Sequence, residues 1–274
     1  SDVASWMQDV GEALTIGRVI GDRVLIISTS TGATLAAAAA LDKVSMESVD
    51  GIIFVSPNFG INNRAASLLT WPFARQWLPL ILGDNRSSEP RNALHARYWT
   101  TTYPTTALLP MAALVETVNG FDFSRVSVPA LFYYSKDDLV VDPVKTNSFI
   151  EGWGGSKTVV HPRLGEDDDK FAHVIAGDIE SAQQTGFAVD KIFNFLENYD
   201  EVFVEIGGEI RTKSTIKDWK IGINTPSINN FSNDIEKIIS LNNLSIATSG
   251  NYRNYFIYDD KFYHHEIDIK TGEP

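Results

Sequence analysis

Cysteine is absent from this chain of 274 residues, and positive charge is scarce. Without a thiol the chain forms no disulfide and carries out no thiolate chemistry, so cysteine usage does not indicate a redox compartment. Lysine and arginine number 23 against 35 aspartates and glutamates, which leaves a formal net charge of −12. This acidic balance argues against nucleic acid or an anionic membrane as a partner.

Long apolar runs are also missing. No stretch approaches the roughly 20 consecutive apolar residues that a membrane-spanning helix needs, and no segment has the pattern of a signal peptide. The cellular location therefore stays open. The hydrophobic fraction of 43% supports a sizeable core, and a chain of this length forms one large domain or two small ones.

The segment from Val24 to Leu35 is the most informative part of the sequence. The apolar run Val24 to Ile27 predicts a buried strand, residues 28–32 (Ser-Thr-Ser-Thr-Gly) predict a tight turn, and an alanine-rich helix follows. Ser30 then stands at the apex of the turn, beside a helix N-terminus whose N–H groups favour negative charge. We predict that Ser30 is a nucleophile; the alternative is a serine that only caps the helix.

Further elements continue the α/β pattern. Helical spacing extends from Val3 to about Ile20, and Gly51 to Pro57 reads as a second strand, which completes a βαβ unit with a parallel sheet. Two more strands, at 128–135 and 157–160, precede a last helix from about 179 to 196.

Residues 58–121 interrupt the strand rhythm and are rich in aromatic side chains. Two interpretations of this segment have equal weight. It is either a helical cap over the sheet edge that forms a wall of an apolar pocket, or an ordinary helical packing layer.

A serine nucleophile requires a base and a carboxylate that orients the base. Asp137 and Asp138 follow the third strand, and His173 follows the fourth strand after a polar loop. Asp138 is favoured as the acid with Asp137 as the alternative, and His173 is favoured over His161 as the base. The acidic run at 166–169 is interpreted as a solvated loop rather than a cation site.

Residues 1 to about 197 resemble the α/β-hydrolases of the carboxylesterase or lysophospholipase-like type. The resemblance depends on residues 28–32, residues 137–143 and residues 173–178, which carry serine, aspartate and histidine in the order typical of that fold. It implies a parallel α/β-hydrolase sheet and a small-molecule ester or acyl substrate, with no cofactor and no metal.

The resemblance also implies roles for single residues. Ser30, Asp138 and His173 would form the catalytic triad, and the Thr31 N–H would bind the oxyanion. The sequence departs from the usual G-x-S-x-G pattern because Ser28 holds the first glycine position. The hydrolase pattern begins partway through the family's fold, so we expect a core over 1–199 that lacks the N-terminal strands and the second oxyanion donor.

The sequence changes character near residues 197–200, and the remainder reads as a smaller β-rich (α+β) segment. Residues 202–210 predict one strand, with 219–223 as its hairpin partner. Residues 255–258 and 262–265 predict a further hairpin around an Asp-Asp-Lys turn.

Residues 201–274 resemble the FAD:protein FMN transferases of the ApbE family. The matching segments are 204–210, 247–253 and 265–268, followed by Thr-Gly-Glu-Pro at 271–274. The resemblance implies FAD as cofactor with magnesium, bound through Gly207, Gly208, Glu209, Thr248, Ser249, Gly250 and His265. It covers only the middle of such an enzyme.

Three functional interpretations therefore stand. The first is a serine hydrolase that acts on carboxylic esters or lipid-like acyl groups. The second is a flavin transferase fragment. The third is a composite chain, made of two partial domains joined near residue 200, without a complete active site and with a binding or structural role.

Overall fold

The computed structural model describes residues 2–196, 201–206, 209–224, 235–247, 255–258 and 261–264. The chain divides into two compact units, Ser1–Phe195 and Leu196–Pro274. Among the described residues, no helix is both long and apolar enough to cross a bilayer.

The described part of the first unit alternates strands and helices. In chain order its elements are α1 (Val3–Ile20), β1 (Val24–Thr29), α2 (Thr31–Ala39), β2 (Val49–Val55), a 3₁₀ helix (Arg64–Thr70), α3 (Ala74–Leu82), β3 (Asn85–Ser87), α4 (Ala93–Tyr98), β4 (Thr102–Pro104), a 3₁₀ turn (Thr105–Ala107), α5 (Leu108–Asn119), β5 (Ala130–Tyr133), α6 (Pro143–Gly152), β6 (Lys157–Val160), a 3₁₀ turn (Ala182–Gln184) and α7 (Thr185–Phe195).

The central sheet has four strands in the order β1-β2-β5-β6, and every neighbouring pair is parallel. The carboxyl ends of all four strands therefore lie at one edge, where ligands bind in α/β folds. Strands β2 and β5 are buried because they are central, which explains their nearly continuous apolar sequence. This arrangement confirms the predicted α/β fold and the βαβ unit.

One face of the sheet is packed with aromatic rings. The Phe54 ring stacks on Phe132 at 5.0 Å between centroids and meets Trp153 edge-on at 5.5 Å. These three side chains are fully buried, and each contributes roughly 1.5–3 kcal/mol through burial. Ala33 and Ala37 of α2 are completely buried as well, so the alanine-rich helix lies close to the core as its sequence predicts.

The segment from 58 to 121 is mainly helical, as expected, but it also contains a short antiparallel hairpin. Strand β3 pairs with β4 through Asn85 with Pro104, Arg86 with Tyr103 and Ser87 with Thr102. The sequence analysis did not predict this hairpin, because three-residue strands are too short to show an apolar alternation that a sequence pattern can detect.

The second unit consists of strands in its described part: β7 (Glu201–Ile206), β8 (Glu209–Ser214), β9 (Trp219–Asn224), β10 (Ile235–Leu241), β11 (Ser245–Ala247), β12 (Tyr255–Tyr258) and β13 (Lys261–His264). The order β11-β8-β7 forms one sheet, and β9 pairs with β10. The predicted single strand over 202–210 and its pairing with 219–223 are therefore wrong. The predicted hairpin of β12 and β13 is confirmed.

Candidate active site

Ser30 occupies a sharp turn between β1 and α2. Its φ of 51° and ψ of −119° lie outside the regions that non-glycine residues usually adopt. The Ser30 N–H donates to the Val55 carbonyl at 3.0 Å, and the Ser30 carbonyl accepts the Asn58 N–H at 3.0 Å. Hydrogen bonds to both sides of the residue thus hold a backbone conformation that would otherwise relax.

The Ser30 side chain makes no hydrogen bond to the helix that it precedes. Ser30 is the N-cap residue by position, yet its hydroxyl points to a histidine instead. The alternative interpretation of Ser30 as a capping side chain is therefore wrong.

Ser28 shows how the turn accommodates a residue other than glycine at the first position of the motif. Its side chain is buried, and its hydroxyl donates to the Ile53 carbonyl of the neighbouring strand at 3.1 Å. A buried hydroxyl with a partner costs little, whereas an unpaired one would destabilise the turn. The neighbouring strand thus compensates for the departure from the usual pattern.

His173 contacts both other predicted residues. Its Nε2 lies 3.0 Å from the Ser30 Oγ, and its Nδ1 lies 2.8 Å from the Asp138 Oδ2. The Asp138 side chain is 1% exposed and the His173 side chain 14%. The alternative acid Asp137 is exposed on the same loop, and the alternative base His161 instead places its Nδ1 2.9 Å from the Tyr134 carbonyl.

The Asp138 carboxylate is oriented by its own loop. Its Oδ1 accepts the N–H groups of Val140 at 2.8 Å and Val141 at 2.9 Å, which leaves Oδ2 for the imidazole. An ionised carboxylate only accepts hydrogen bonds, so the His173 Nδ1 carries the proton. The Nε2 lone pair consequently faces the Ser30 hydroxyl, which is the tautomer that a general base requires.

The residue that follows β2 also holds the loop that carries His173. Ser56, directly after β2, donates its hydroxyl to the His173 carbonyl at 2.6 Å. Ser56 itself is fully buried and has a φ of 42°. The sequence contains no sign of this contact, because the two residues are 117 positions apart.

Thr31 is the first residue of α2, and its N–H has no acceptor within the helix. A cavity of about 340 Å³ borders this helix end, lined by Trp6, Thr31, Gly32, Leu35 and Met111. Three of these five side chains are large and apolar, and Met111 belongs to the predicted cap segment. The position of Thr31 is compatible with donation to an oxyanion beside Ser30.

Asp169 is a residue that the sequence interpretation missed. The sequence predicts a solvated loop over 166–169, but the Asp169 side chain is only 1% exposed and pairs with Arg91. Burial alone would raise the pKa of the Asp169 carboxyl, yet hydrogen bonds from the Val174, Phe171 and His173 N–H groups and from Arg91 hold it below its usual value. The interpretation is therefore wrong for Asp169, and only a long-range partner reveals it.

The residues predicted to bind flavin lie almost entirely outside the described ranges. This applies to Gly207, Gly208, Thr248, Ser249, Gly250 and His265. Glu209 begins β8, where its backbone pairs with Ile206. Within the described ranges, no three histidine, aspartate or glutamate side chains come together closely enough to hold a metal ion.

Comparison with known proteins identifies two families. The family model described as serine aminopeptidase, S33, matches residues 1–162, more than half of the chain. The ApbE family model matches residues 181–274. Both matches confirm the resemblances seen in the sequence.

Relatives of the second segment are FAD:protein FMN transferases. The protein from Haemophilus influenzae is 45% identical over 94 residues, which are 32% of this chain and 27% of that protein. The protein from Vibrio cholerae is 43% identical over 94 residues, covering 32% of this chain and 28% of that protein. The chain thus spans little more than a quarter of the length of these curated relatives.

Solved structures resemble the first unit of the chain in fold. A structure of the metagenome-derived lipolytic enzymes LipS and LipT matches with a TM-score of 0.55 and 15% identity, covering 73% of this chain and 75% of that one. A monoacylglycerol lipase from Paleococcus ferrophilus matches with a TM-score of 0.51 and 15% identity, covering 72% and 75%. These likenesses establish the fold and do not identify a substrate.

Proposed function

We propose that this chain, which belongs to the family described as serine aminopeptidase, S33, is a serine hydrolase that cleaves carboxylic esters or lipid-like acyl groups. One observation carries the proposal. Asp138, His173 and Ser30 form a continuous chain of hydrogen bonds at 2.8 Å and 3.0 Å.

In the proposed reaction the Ser30 Oγ attacks the carbonyl carbon while His173 Nε2 takes the hydroxyl proton. Asp138 stabilises the imidazolium that forms, and the Thr31 N–H donates to the oxyanion. His173 then returns the proton to the leaving alcohol, which departs and leaves an acyl group on Ser30. A water molecule, deprotonated by His173, releases the acid and restores the serine.

The apolar lining beside Thr31 supports a substrate with a hydrocarbon chain. Trp6, Leu35 and Met111 provide apolar contact for a hydrocarbon chain, which gains about 0.8 kcal/mol per buried methylene.

A fluorophosphonate probe tests the nucleophile directly, because it reacts with an activated serine. We expect labelling of the wild type and none of Ser30→Ala. Ser28→Ala is the matched control, since it removes a hydroxyl from the same turn that bonds only to the strand, and it should still be labelled. Persistent labelling of Ser30→Ala would refute the assignment.

The substrate class requires a separate comparison. We expect turnover of p-nitrophenyl esters of increasing chain length and little turnover of aminoacyl p-nitroanilides. A higher kcat/KM for the anilides would reverse the preference and favour aminopeptidase activity.

A second candidate function concerns residues 200–274, and the 45% identity to a flavin transferase favours it. We propose that this segment binds FAD with Mg²⁺ through the glycine pair at 207–208, Glu209, the segment 248–250 and His265. Flavin fluorescence should then change when FAD is added with Mg²⁺ and stay constant when Mg²⁺ is replaced by EDTA. Absence of both ester turnover and a flavin response would favour the composite, non-catalytic alternative.

A further inference from the structure

We infer that Asp169 is a positioning residue for His173 and that Arg91, from the segment 58–121, holds Asp169 in place. This inference rests on the proposed hydrolase function and assigns to it two residues outside the Ser30, His173 and Asp138 set. Asp169 acts on the histidine through the backbone and does not touch the reacting atoms.

The Asp169 carboxylate accepts hydrogen bonds from the backbone of the loop that carries His173. Its Oδ2 accepts the N–H of His173 at 3.1 Å and that of Val174 at 2.9 Å. Its Oδ1 accepts the Phe171 N–H at 3.1 Å and an Nη1 proton of Arg91. Both oxygens are therefore used as acceptors, in a side chain almost completely shielded from water.

Arg91 connects this carboxylate to the segment 58–121. Its guanidinium bonds to Asp169 and Glu180, and it lies over the Phe171 ring at 4.8 Å from the centroid. The Phe171 carbonyl in turn accepts the Leu139 N–H at 2.9 Å, in the residue next to Asp138. The same group of residues thus contacts the loops that carry both the histidine and its acid.

The loop needs this support because its local backbone conformation is unfavourable. Ala172, immediately before His173, has a φ of 52°, which non-glycine residues rarely adopt. Without the hydrogen bonds to Asp169 the loop would relax and carry the imidazole with it. A displacement of about 1 Å at a catalytic group costs roughly 10²-fold in rate.

Asp169→Asn tests the inference because an amide cannot accept at both positions. One side of the asparagine would present N–H to backbone N–H groups, and the loop would have to move. Asp168→Asn is the matched control: Asp168 is the neighbouring carboxylate, but its Oδ2 accepts from Gly165 and Gln184 and not from His173.

We expect kcat of Asp169→Asn to fall about 10²-fold with KM nearly unchanged, since the substrate pocket is retained. Rates are normalised to active sites titrated with the fluorophosphonate. The downfield NMR resonance of the His173 Nδ1 proton should shift or vanish in Asp169→Asn and persist in Asp168→Asn. A purely structural role would lower the melting temperature and leave the normalised kcat and the resonance unchanged, which would overturn the inference.

If Asp169→Asn does not fold, Arg91→Gln provides the test, because it removes the guanidinium and keeps the Asp169 carboxylate that accepts from the backbone N–H groups. We expect a fall in kcat of about tenfold, which is smaller than the roughly 10²-fold effect of a displaced catalytic group. An unchanged kcat together with an unchanged His173 Nδ1 proton resonance would refute the inference. Failure of the proposed function looks different: the wild type would neither hydrolyse esters nor react with the probe. The NMR comparison does not depend on turnover and still reports on Asp169.

Discussion

Asp138→Asn is a sharp test of the proposed chemistry, because the structure determines which way the new amide must face. The Asp138 Oδ1 accepts from Val140 and Val141 at 2.8 Å and 2.9 Å. An asparagine keeps these two bonds only if its carbonyl oxygen takes that position. The amide NH₂ then occupies the place of Oδ2, 2.8 Å from the His173 Nδ1.

This orientation imposes the wrong tautomer on the histidine. An NH₂ group donates, so Nδ1 must accept and the ring proton moves to Nε2. Nε2 then donates to the Ser30 Oγ and can no longer take its proton. We expect kcat to fall about 10⁴-fold, or about 5.4 kcal/mol of transition-state stabilisation.

The assay is p-nitrophenyl ester turnover together with the rate of fluorophosphonate labelling. Asp137→Asn is the control, because Asp137 is an exposed carboxylate next to Asp138 and the same charge is removed. It should stay within about threefold of the wild type, as expected for an exposed charge. Activity of Asp138→Asn within tenfold of the wild type, or a large loss in Asp137→Asn, would refute the reasoning.

Two further predictions concern stability. The pKa of Asp169 is lowered in the folded state, so its stabilisation is complete above the unfolded value of about 3.9 and is lost as pH falls through the folded pKa. In urea unfolding, the free energy of unfolding of Asp169→Asn should be about 3 kcal/mol lower than that of the wild type at pH 7. This difference should shrink below about pH 4. A difference that grows on acidification would contradict the prediction. Tyr133 has a buried hydroxyl without a hydrogen-bond partner among the described residues. Its burial, and to a smaller extent the nearby Asp168 carboxylate, raise the pKa of Tyr133 to about 12. Tyr133→Phe should leave stability unchanged or raise it by up to about 1 kcal/mol, and a loss above 2 kcal/mol in thermal unfolding would show that the hydroxyl has a partner.

The sequence by itself determined the local elements of the hydrolase unit. The apolar run before Ser30, the turn and the alanine-rich helix encode β1 and α2 through short-range preferences, and helical spacing predicts α1 with the observed bounds. The order of serine, aspartate and histidine after separate strands also predicts that one residue of each type meets at a single edge, because parallel strands bring their carboxyl ends together there.

Only the tertiary structure decided which of two neighbouring carboxylates meets the imidazole, and which histidine faces Ser30. The sequence favours Asp138 but leaves Asp137 open as the alternative, since the choice depends on how the loop turns. The sequence predicts that Asp169 belongs to a solvated acidic run, whereas the structure places Arg91, 78 residues away in the chain, beside it. The pairing predicted between 202–210 and 219–223 is wrong for the same reason. The burial of a side chain and its pairing with a partner depend on contacts between distant segments. The free energy of those contacts cannot be read from the sequence of either segment alone.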